Sequence, residues 1–323
     1  MTMQAVVLRG YGGPDRLELR TVARPSPGPT EVLVRVCATG VNDWDLNIIR
    51  GIILNRLGGG LFRPRTRILG LDVAGEVAEV GAEVTRFRVG DRVFGDLSSA
   101  GFGGFAEFVS PDESALTLLP DEISFVDAAA LPHAGNLAAQ AIAAASLTPS
   151  DRLLINGAGG GVGTLALQRA THLGVTDVTG IDAASKLDLL RELGFARALD
   201  YREVDFASMG EQFDVIIDAR STRSPADCAR ALTEGGRYVT VGGETRHVLT
   251  IGVSKRRVLA KTGKTVALVM LEPNVDNGRL LELHAAGVLA PSIDSTWPLA
   301  QTRDAVERFA SGEHRGKIVV TVD

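Results

Sequence analysis

The sequence predicts an α/β fold in two domains, one of them a doubly wound parallel sheet, and three observations predict it. Residues 152–156 are a short apolar run that breaks into five glycines within 157–163, so a strand runs into a tight turn. Val162, Leu165, Ala166 and Leu173 then recur at helical spacing up to Gly174, and residues 175–181 read as a second buried strand ending at Asp182. The third observation is size: 323 residues, 45 % hydrophobic and 23 % charged, with 37 glycines, are enough for two domains and a sizeable core.

Composition also excludes several classes. A net charge of −5 argues against a nucleic-acid partner, because proteins that track phosphates gain affinity from basic surfaces. Two cysteines, Cys37 and Cys228, cannot build a disulfide framework or a cysteine-based structural zinc site. The opening MTMQAVVL has no basic region and too short an apolar run for a signal peptide, and no segment reaches about 18 uninterrupted apolar residues. No membrane partner is expected, and the expected location is the cytoplasm.

Taken in order, residues 4–8 and 17–22 are expected as strands on either side of a Gly-Gly-Pro-Asp turn. Pro25, Pro27, Gly28 and Pro29 break the chain before 31–39, where Val32, Val34 and Val36 alternate as in a half-buried strand. Residues 52–66, rich in glycine and arginine without a period, are expected as a loop, and 68–93 as two strands of a small β-domain. The alanine-rich stretch 125–147 is expected to be helical with a break at Pro132, and the chain to cross between domains near residue 135. Further strands are expected at 198–200, 213–219 and 237–241, the last ending at Gly242-Gly243. Helices are expected at 276–286 and 301–311, and a final strand at 317–322.

The glycines after residue 156 have a physical task. A diphosphate must approach the backbone closely, and a Cβ in the turn would hold it off. Orphan N–H groups of the first helical turn and the positive end of the helix dipole then face the anion, the dipole contributing roughly 0.3–1 kcal/mol. The window Ala158-Gly159-Gly160-Gly161-Val162-Gly163 matches G-x-G-x-x-G with alanine in the first place, and Asp182 follows where a ribose would sit.

Several separated blocks then add up to a family. They are G-V-N-x-x-D-x-x-x-x-R-G at 40–51, I-L-G-x-D-V-A-G-x-V at 68–77, V-G-D-R-V-F-G at 89–95, G-G-F-A-E-F-V at 103–109, A-A-A-L-P-x-A-G at 128–135, the glycine turn, and R-G-K-I-V at 315–319. In this order they resemble the zinc-independent medium-chain dehydrogenase/reductases, the quinone oxidoreductase (zeta-crystallin-like) group. The resemblance implies a Rossmann doubly wound sheet inserted in a GroES-like, mainly β catalytic domain: 1–134 as the first catalytic part, 135–270 as the dinucleotide-binding domain and 271–323 as the catalytic return.

It also implies a set of sites. On zinc-containing relatives the ligand places coincide with Asn42, Leu71 and His133, and a leucine cannot bind zinc, so no metal is expected. Without a Lewis acid the acceptor must be electron-poor already, which points to a quinone or an α,β-unsaturated carbonyl as the small-molecule substrate. Asn42 is implied beside the nicotinamide, holding the ribose or the acceptor oxygen; its other reading is a turn asparagine that caps local backbone. His133 is a proton donor or a hinge histidine with no chemical role. Asp45 and Arg50 are read as structural partners. Implied coenzyme contacts are Asn42, Ala158, Gly160, Gly161, Val162, Gly163, Asp182, Lys186, Tyr201, the strand ends at Ala219, Val241 and Gly242, and Lys317. Relatives commonly carry a threonine and an aromatic residue where this chain has Leu137 and Ala139, which suggests an enlarged pocket or weakened catalysis.

The coenzyme is contested within the sequence. Asp182 suits NADH, since it would repel a 2′-phosphate by about 4 kcal/mol at 4 Å with an effective dielectric of 20. Lys186 and Tyr201 match residues that clasp the 2′-phosphate in bacterial quinone oxidoreductases, and NADPH is the expected coenzyme on the supposition that Asp182 turns away; NADH remains open. The alternatives to quinone or enone reduction are a non-catalytic NADPH-binding protein and an enoyl-thioester reductase. The arginines within 56–67 are read as a solvated basic loop, with an anionic acceptor as their other reading. Pairing of 265–271 across a sheet edge implies a homodimer.

Overall fold

Apolar side chains spaced two apart put the first third of the chain into strands. The computed structural model describes residues 1–53, 56, 59–242, 251, 258 and 260–322. Strands β1 (Thr2–Leu8) and β2 (Leu17–Ala23) pair antiparallel. In β3 (Val32–Val41) Leu33 is as buried as its valine neighbours and Arg35 is exposed, so most of this strand is covered on both faces where a half-buried one was expected. It runs straight into helix α1 (Asp43–Arg50), closed by Gly51 in the left-handed region at φ 62°. The stretch 52–66, expected as a loop, puts Ile53, Arg56 and Gly59 in helical conformation, and bends follow at 61–63 and 65.

Strands β4 (Asp72–Val80), β5 (Arg92–Asp96), β6 (Phe108–Val109) and β7 (Thr117–Leu118) follow, then helices α2 (Phe125–Ala130) and α3 (Pro132–Ala145). Ser124 caps α2 through the Asp127 N–H. Pro132 opens α3, a position where a missing N–H removes no helical bond.

The next segment is the predicted strand, turn and helix repeated. β8 (Leu153–Asn156), helix α4 (Gly161–His172), β9 (Val178–Asp182), helix α5 (Leu187–Leu193), β10 (Arg197–Asp200), β11 (Phe213–Asp218), helix α6 (Pro225–Arg230), β12 (Leu232–Thr240) and β13 (Thr265–Leu268) supply a six-stranded sheet. Its order is β10-β9-β8-β11-β12-β13 and its pairs are all parallel. Counted from β8, that is the 3-2-1-4-5-6 order of a dinucleotide-binding double winding, with the switch between β8 and β11. The central strands β8 and β11 are short, almost wholly buried runs, as expected of strands covered on both faces.

The chain ends with helix α7 (Asn277–Ala285), β14 (Ile293–Pro298), helix α8 (Thr302–Ala310) and β15 (Lys317–Thr321). These strands complete a seven-stranded sheet, β14-β15-β3-β4-β5-β7 with β6 on β3. Two compact units result: Met1–Asn136 with Pro273–Ala285 and Ile293–Asp323, and Leu137–Glu272 with Ala286–Ser292. The first is the GroES-like part, the second the Rossmann sheet. Among the described residues no helix is long and apolar enough to cross a membrane.

Candidate active site

Register in the first unit brings three distant segments to one point. Ile318 of β15 faces Val41 of β3, and Asp72 of β4 faces Gly40, so Lys317, Asn42 and Asp72 meet at the end of β3. Gly40 permits this: a Cβ there would lie 2.6 Å from the Ala129 carbonyl and 2.8 Å from Asp72 Oδ2. Asp72 is the junction. Its Oδ2 accepts from Asn42 Nδ2 at 2.9 Å and Lys317 Nζ at 3.0 Å, while Oδ1 accepts the His133 backbone N–H at 2.9 Å. Lys317 Nζ also donates to Asn42 Oδ1 at 2.6 Å. The lysine is 3 % exposed and the aspartate wholly buried, so this is an ion pair out of water, held by hydrogen bonds on every side.

Donor counting limits what Asn42 can do. Both Nδ2 hydrogens have acceptors, Asp72 and, at 3.3 Å, the Gly40 carbonyl, which leaves the amide one lone pair on Oδ1. Asn42 can therefore accept from a ligand hydroxyl. It is also the N-cap of α1, but there the capping carboxylate is Asp45, whose Oδ2 accepts the Asn42 N–H at 3.0 Å and whose Oδ1 accepts the Gly70 N–H at 2.9 Å. Burial pushes the Asp45 carboxyl up to about 7 against the pull of those two bonds, with the Asp72 charge adding to the rise.

His133 joins the same region through Asp96: its Nδ1 lies 2.8 Å from Asp96 Oδ2. Burial raises the Asp96 carboxyl, but the hydrogen bond and charge of His133 and the bonds from Ser98 outweigh it and hold the group below the usual carboxylate range. An ionised Asp96 can only accept, so Nδ1 carries the hydrogen of this bond and Nε2 points away from it. Leu71, at the second implied ligand place, is a fully buried hydrocarbon. Among the described residues no group of three His, Cys, Asp or Glu side chains is disposed to hold a metal ion.

In the second unit the glycine turn sits at the switch between β8 and β11. Gly157 takes φ 82°, and Gly160 is the N-cap of α4, so the N–H groups of Gly161, Val162 and Gly163 lack intrahelical partners. The glycines divide by task. A Cβ on Gly163 would lie 2.4 Å from the Gly157 carbonyl and 2.6 Å from Ala158 Cα, so that glycine lets helix and turn pack. A Cβ on Gly160 would meet nothing closer than 3.5 Å, so the chain itself leaves that place open. This is a cradle that a side chain would fill and a diphosphate fits.

Asp182 does not turn away. Its Oδ2 accepts the Gly159 N–H at 2.8 Å, Oδ1 accepts the Ala183 N–H at 2.8 Å, and Lys186 Nζ pairs with it at 3.4 Å. The supposition fails because the Gly159 amide of the glycine turn and the Ala183 amide after β9 bind the carboxylate in place. Lys186 is buried rather than solvated, so its charge offsets that of Asp182 beside the turn. Tyr201, 47 % exposed, stands just beyond β10 with its N–H on the Asp182 carbonyl. Ala219 and Val241, just past β11 and β12, donate to the Asn156 and Asp218 carbonyls at the ends of β8 and β11, and Gly242 has open space where a Cβ would be; Gly243 lies outside the described residues. Leu137 and Ala139 are both buried. Lys317, implied at the coenzyme, is placed on Asn42 and Asp72.

Sequence reasoning gave no role to Asp72, the central acceptor of the first cluster, nor to Asp96. The signal for Asp72 was an acid inside the apolar block I-L-G-x-D-V-A-G, where an unpaired charge is not tolerated.

Comparison with known proteins agrees with both halves. A family described as alcohol dehydrogenase GroES-like domain matches residues 28–121, and one described as zinc-binding dehydrogenase matches residues 193–320. The chain is 32 % identical to a chloroplastic quinone-oxidoreductase homolog of Spinacia oleracea over 98 % of each chain. It is 29 % identical to a chloroplastic NADPH-dependent alkenal/one oxidoreductase of Arabidopsis thaliana, over 98 % of this chain and 79 % of that one. The solved quinone oxidoreductase from Coxiella burnetii superposes with a TM-score of 0.88 at 27 % identity, covering all of both chains.

Proposed function

The chain belongs to the quinone oxidoreductase family, and on that premise we propose that it is an NADPH-dependent reductase of quinones and α,β-unsaturated carbonyls, working by hydride transfer without zinc in the cytoplasm. The observation that carries the reading is the open place at Gly160, at the head of α4 and at the switch point of a parallel sheet. A bound reduced nicotinamide would supply the hydride and be left as its oxidised form.

The chain's own residues do the rest. The N–H groups of Gly161 to Gly163 hold the diphosphate, with Ala158 and Gly160 leaving it room. Lys186 and Tyr201 receive the 2′-phosphate, and the Lys186 charge offsets the repulsion from Asp182. Ala219, Val241 and Gly242 lie at strand ends, where dinucleotides rest on such sheets. Asn42 accepts a hydroxyl at Oδ1, its amide held by Lys317 and Asp72. His133, its Nδ1–H held by Asp96, would in its doubly protonated form give the Nε2 proton to the reduced acceptor and be left neutral.

Support for a zinc-free reaction is chemical: of the three ligand places, Leu71 is a buried hydrocarbon with no donor atom. Support for a homodimer is β13, an edge strand of the six-stranded sheet, which size-exclusion chromatography with light scattering tests. The deciding assay mixes protein with NADPH and a panel of 1,4-benzoquinone, 9,10-phenanthrenequinone, 2-alkenals and a crotonyl thioester, following the absorbance of the reduced coenzyme. Turnover on quinones or alkenals is expected. Binding of NADPH with no turnover on any acceptor would establish a non-catalytic binder instead, and NADH used at least about ten times more efficiently than NADPH would overturn the coenzyme assignment.

A further inference from the structure

Beside the polar cluster stand three rings whose arrangement that reading does not use. Trp44, the second residue of α1, is 39 % exposed although it carries the largest apolar side chain of that helix. Its indole meets Phe102 edge to face, centroids 5.9 Å apart at 85°, and the His133 imidazole at 6.2 Å and 54°. Phe102 is held in an unusual conformation to do this. Its φ is 66°, between Gly101 at 97° and Gly103 at 114°, and its N–H is bonded to the Leu97 carbonyl. A bulky residue in the left-handed region costs about 1–3 kcal/mol and persists where surrounding structure enforces it, commonly at ligand sites. Here the enforcing loop is 96–104, whose first residue, Asp96, also fixes the His133 ring.

We propose that Trp44, backed by Phe102 and flanked by His133, is a stacking platform for a flat, electron-poor ring, so that the acceptors this site takes best are aromatic or fused-ring quinones rather than short open-chain alkenals. The argument rests on the reductase reading for its choice of ring. The indole is the most electron-rich side-chain face and a quinone is electron-poor, so their faces attract, and stacking buries apolar area on both. Phe102 meets the indole edge-on, which holds the ring's orientation while leaving indole surface exposed. His133, against the same indole, would put a proton carrier near an oxygen of the stacked quinone. A short alkenal has little π surface to gain from this and depends on the polar cluster alone.

The test compares kcat/KM for 9,10-phenanthrenequinone and 2-hexenal in wild type, Trp44→Ala and Trp44→Phe. The ratio of quinone to alkenal efficiency is expected to fall at least fivefold in Trp44→Ala and to stay within threefold in Trp44→Phe, which retains a ring. A fall below fivefold in Trp44→Ala overturns the proposal. Fluorescence gives a readout that needs no turnover, because the chain has two tryptophans, Trp44 and Trp297. In a Trp297→Phe protein, saturable quenching by phenanthrenequinone is expected, and its absence overturns the platform. If the wild type reduces neither acceptor while the quenching is saturable, the ring site stands and the reductase reading fails.

Discussion

Around Asn42 every fixed hydrogen-bonding group belongs to a side chain or is held by one, whereas in the turn after β8 the groups offered to a ligand are backbone N–H. The first region is saturated: Asp72 accepts three bonds, Lys317 gives two, and the Asn42 amide keeps one lone pair. The second is left open, with space above Gly160 and three amides at the head of α4. The difference teaches what each region tolerates. A side-chain site fails through loss of one partner, because the remainder are buried and charged. A backbone site fails through gain of a methyl group.

The largest effect expected from that contrast is at Asp72. Replacing it with alanine leaves the Lys317 ammonium buried without its counter-ion, and breaking such a pair costs about 3–5 kcal/mol. Urea unfolding should show this, and the double variant Asp72→Leu with Lys317→Met should recover most of it. A loss under about 1 kcal/mol in the single variant would mean that the cluster is not a closed unit.

Asp45 sharpens the same region through pH. Its folded carboxyl stands at about 7, above the unfolded value near 3.9, so between these values the native state keeps a proton that the unfolded chain has released. The stabilisation is complete below pH 4 and is lost as pH rises to 7, with a slope of up to about 1.4 kcal/mol per pH unit. Asp96 works with the opposite sign, and its window lies below pH 4, where acid removes its contribution. Denaturation series at pH 4.5, 5.5, 6.5 and 7.5 should show the slope in wild type and a flatter one in Asp45→Asn. Equal slopes in the two proteins would assign the proton elsewhere.

How much of each region could be read beforehand follows from chain distance. The turn, the helix after it and Asp182 lie within one unit of strand, turn and strand, so glycine spacing and apolar period exposed them. Lys317 and Asn42 are 275 residues apart, and Lys317 and Asp72 are 245 apart. Their meeting depends on the registers of β15 and β4 on β3, which no local pattern records. Helix α1 was readable from Asn42-x-x-Asp45, a capping spacing, but eight residues give too short a period to claim it. The supposition about Asp182 failed because a side chain's direction at a strand end is decided by the amides around it.

In the backbone region two glycines three residues apart should part company. Gly163→Ala drives a methyl into the Gly157 carbonyl and should cost about 1–3 kcal/mol of stability. Gly160→Ala has room, so its melting temperature should stay within about 2 °C while affinity for the reduced coenzyme falls about tenfold, or about 1.4 kcal/mol. Coenzyme fluorescence titration alongside thermal melts separates the two. Equal melting losses would show that the space at Gly160 is not kept for a ligand.

The smallest effect tests where the two kinds of construction meet, since Lys186 is a side chain serving the backbone turn. Its stem packs beneath Gly159, where a Cβ would lie 2.8 Å from Lys186 Cδ, and its ammonium pairs with Asp182. Lys186→Met keeps the stem and removes the charge, so the turn should hold its shape while a 2′-phosphate meets an uncompensated carboxylate. KM for NADPH should rise about tenfold and KM for NADH by less than about threefold, since only the former carries the extra phosphate. If both rise together, Lys186 is a prop for the turn and the Asp182 charge does not decide between the coenzymes. If only NADPH suffers, the offset charge is what lets a chain with an aspartate at this position use the phosphorylated form.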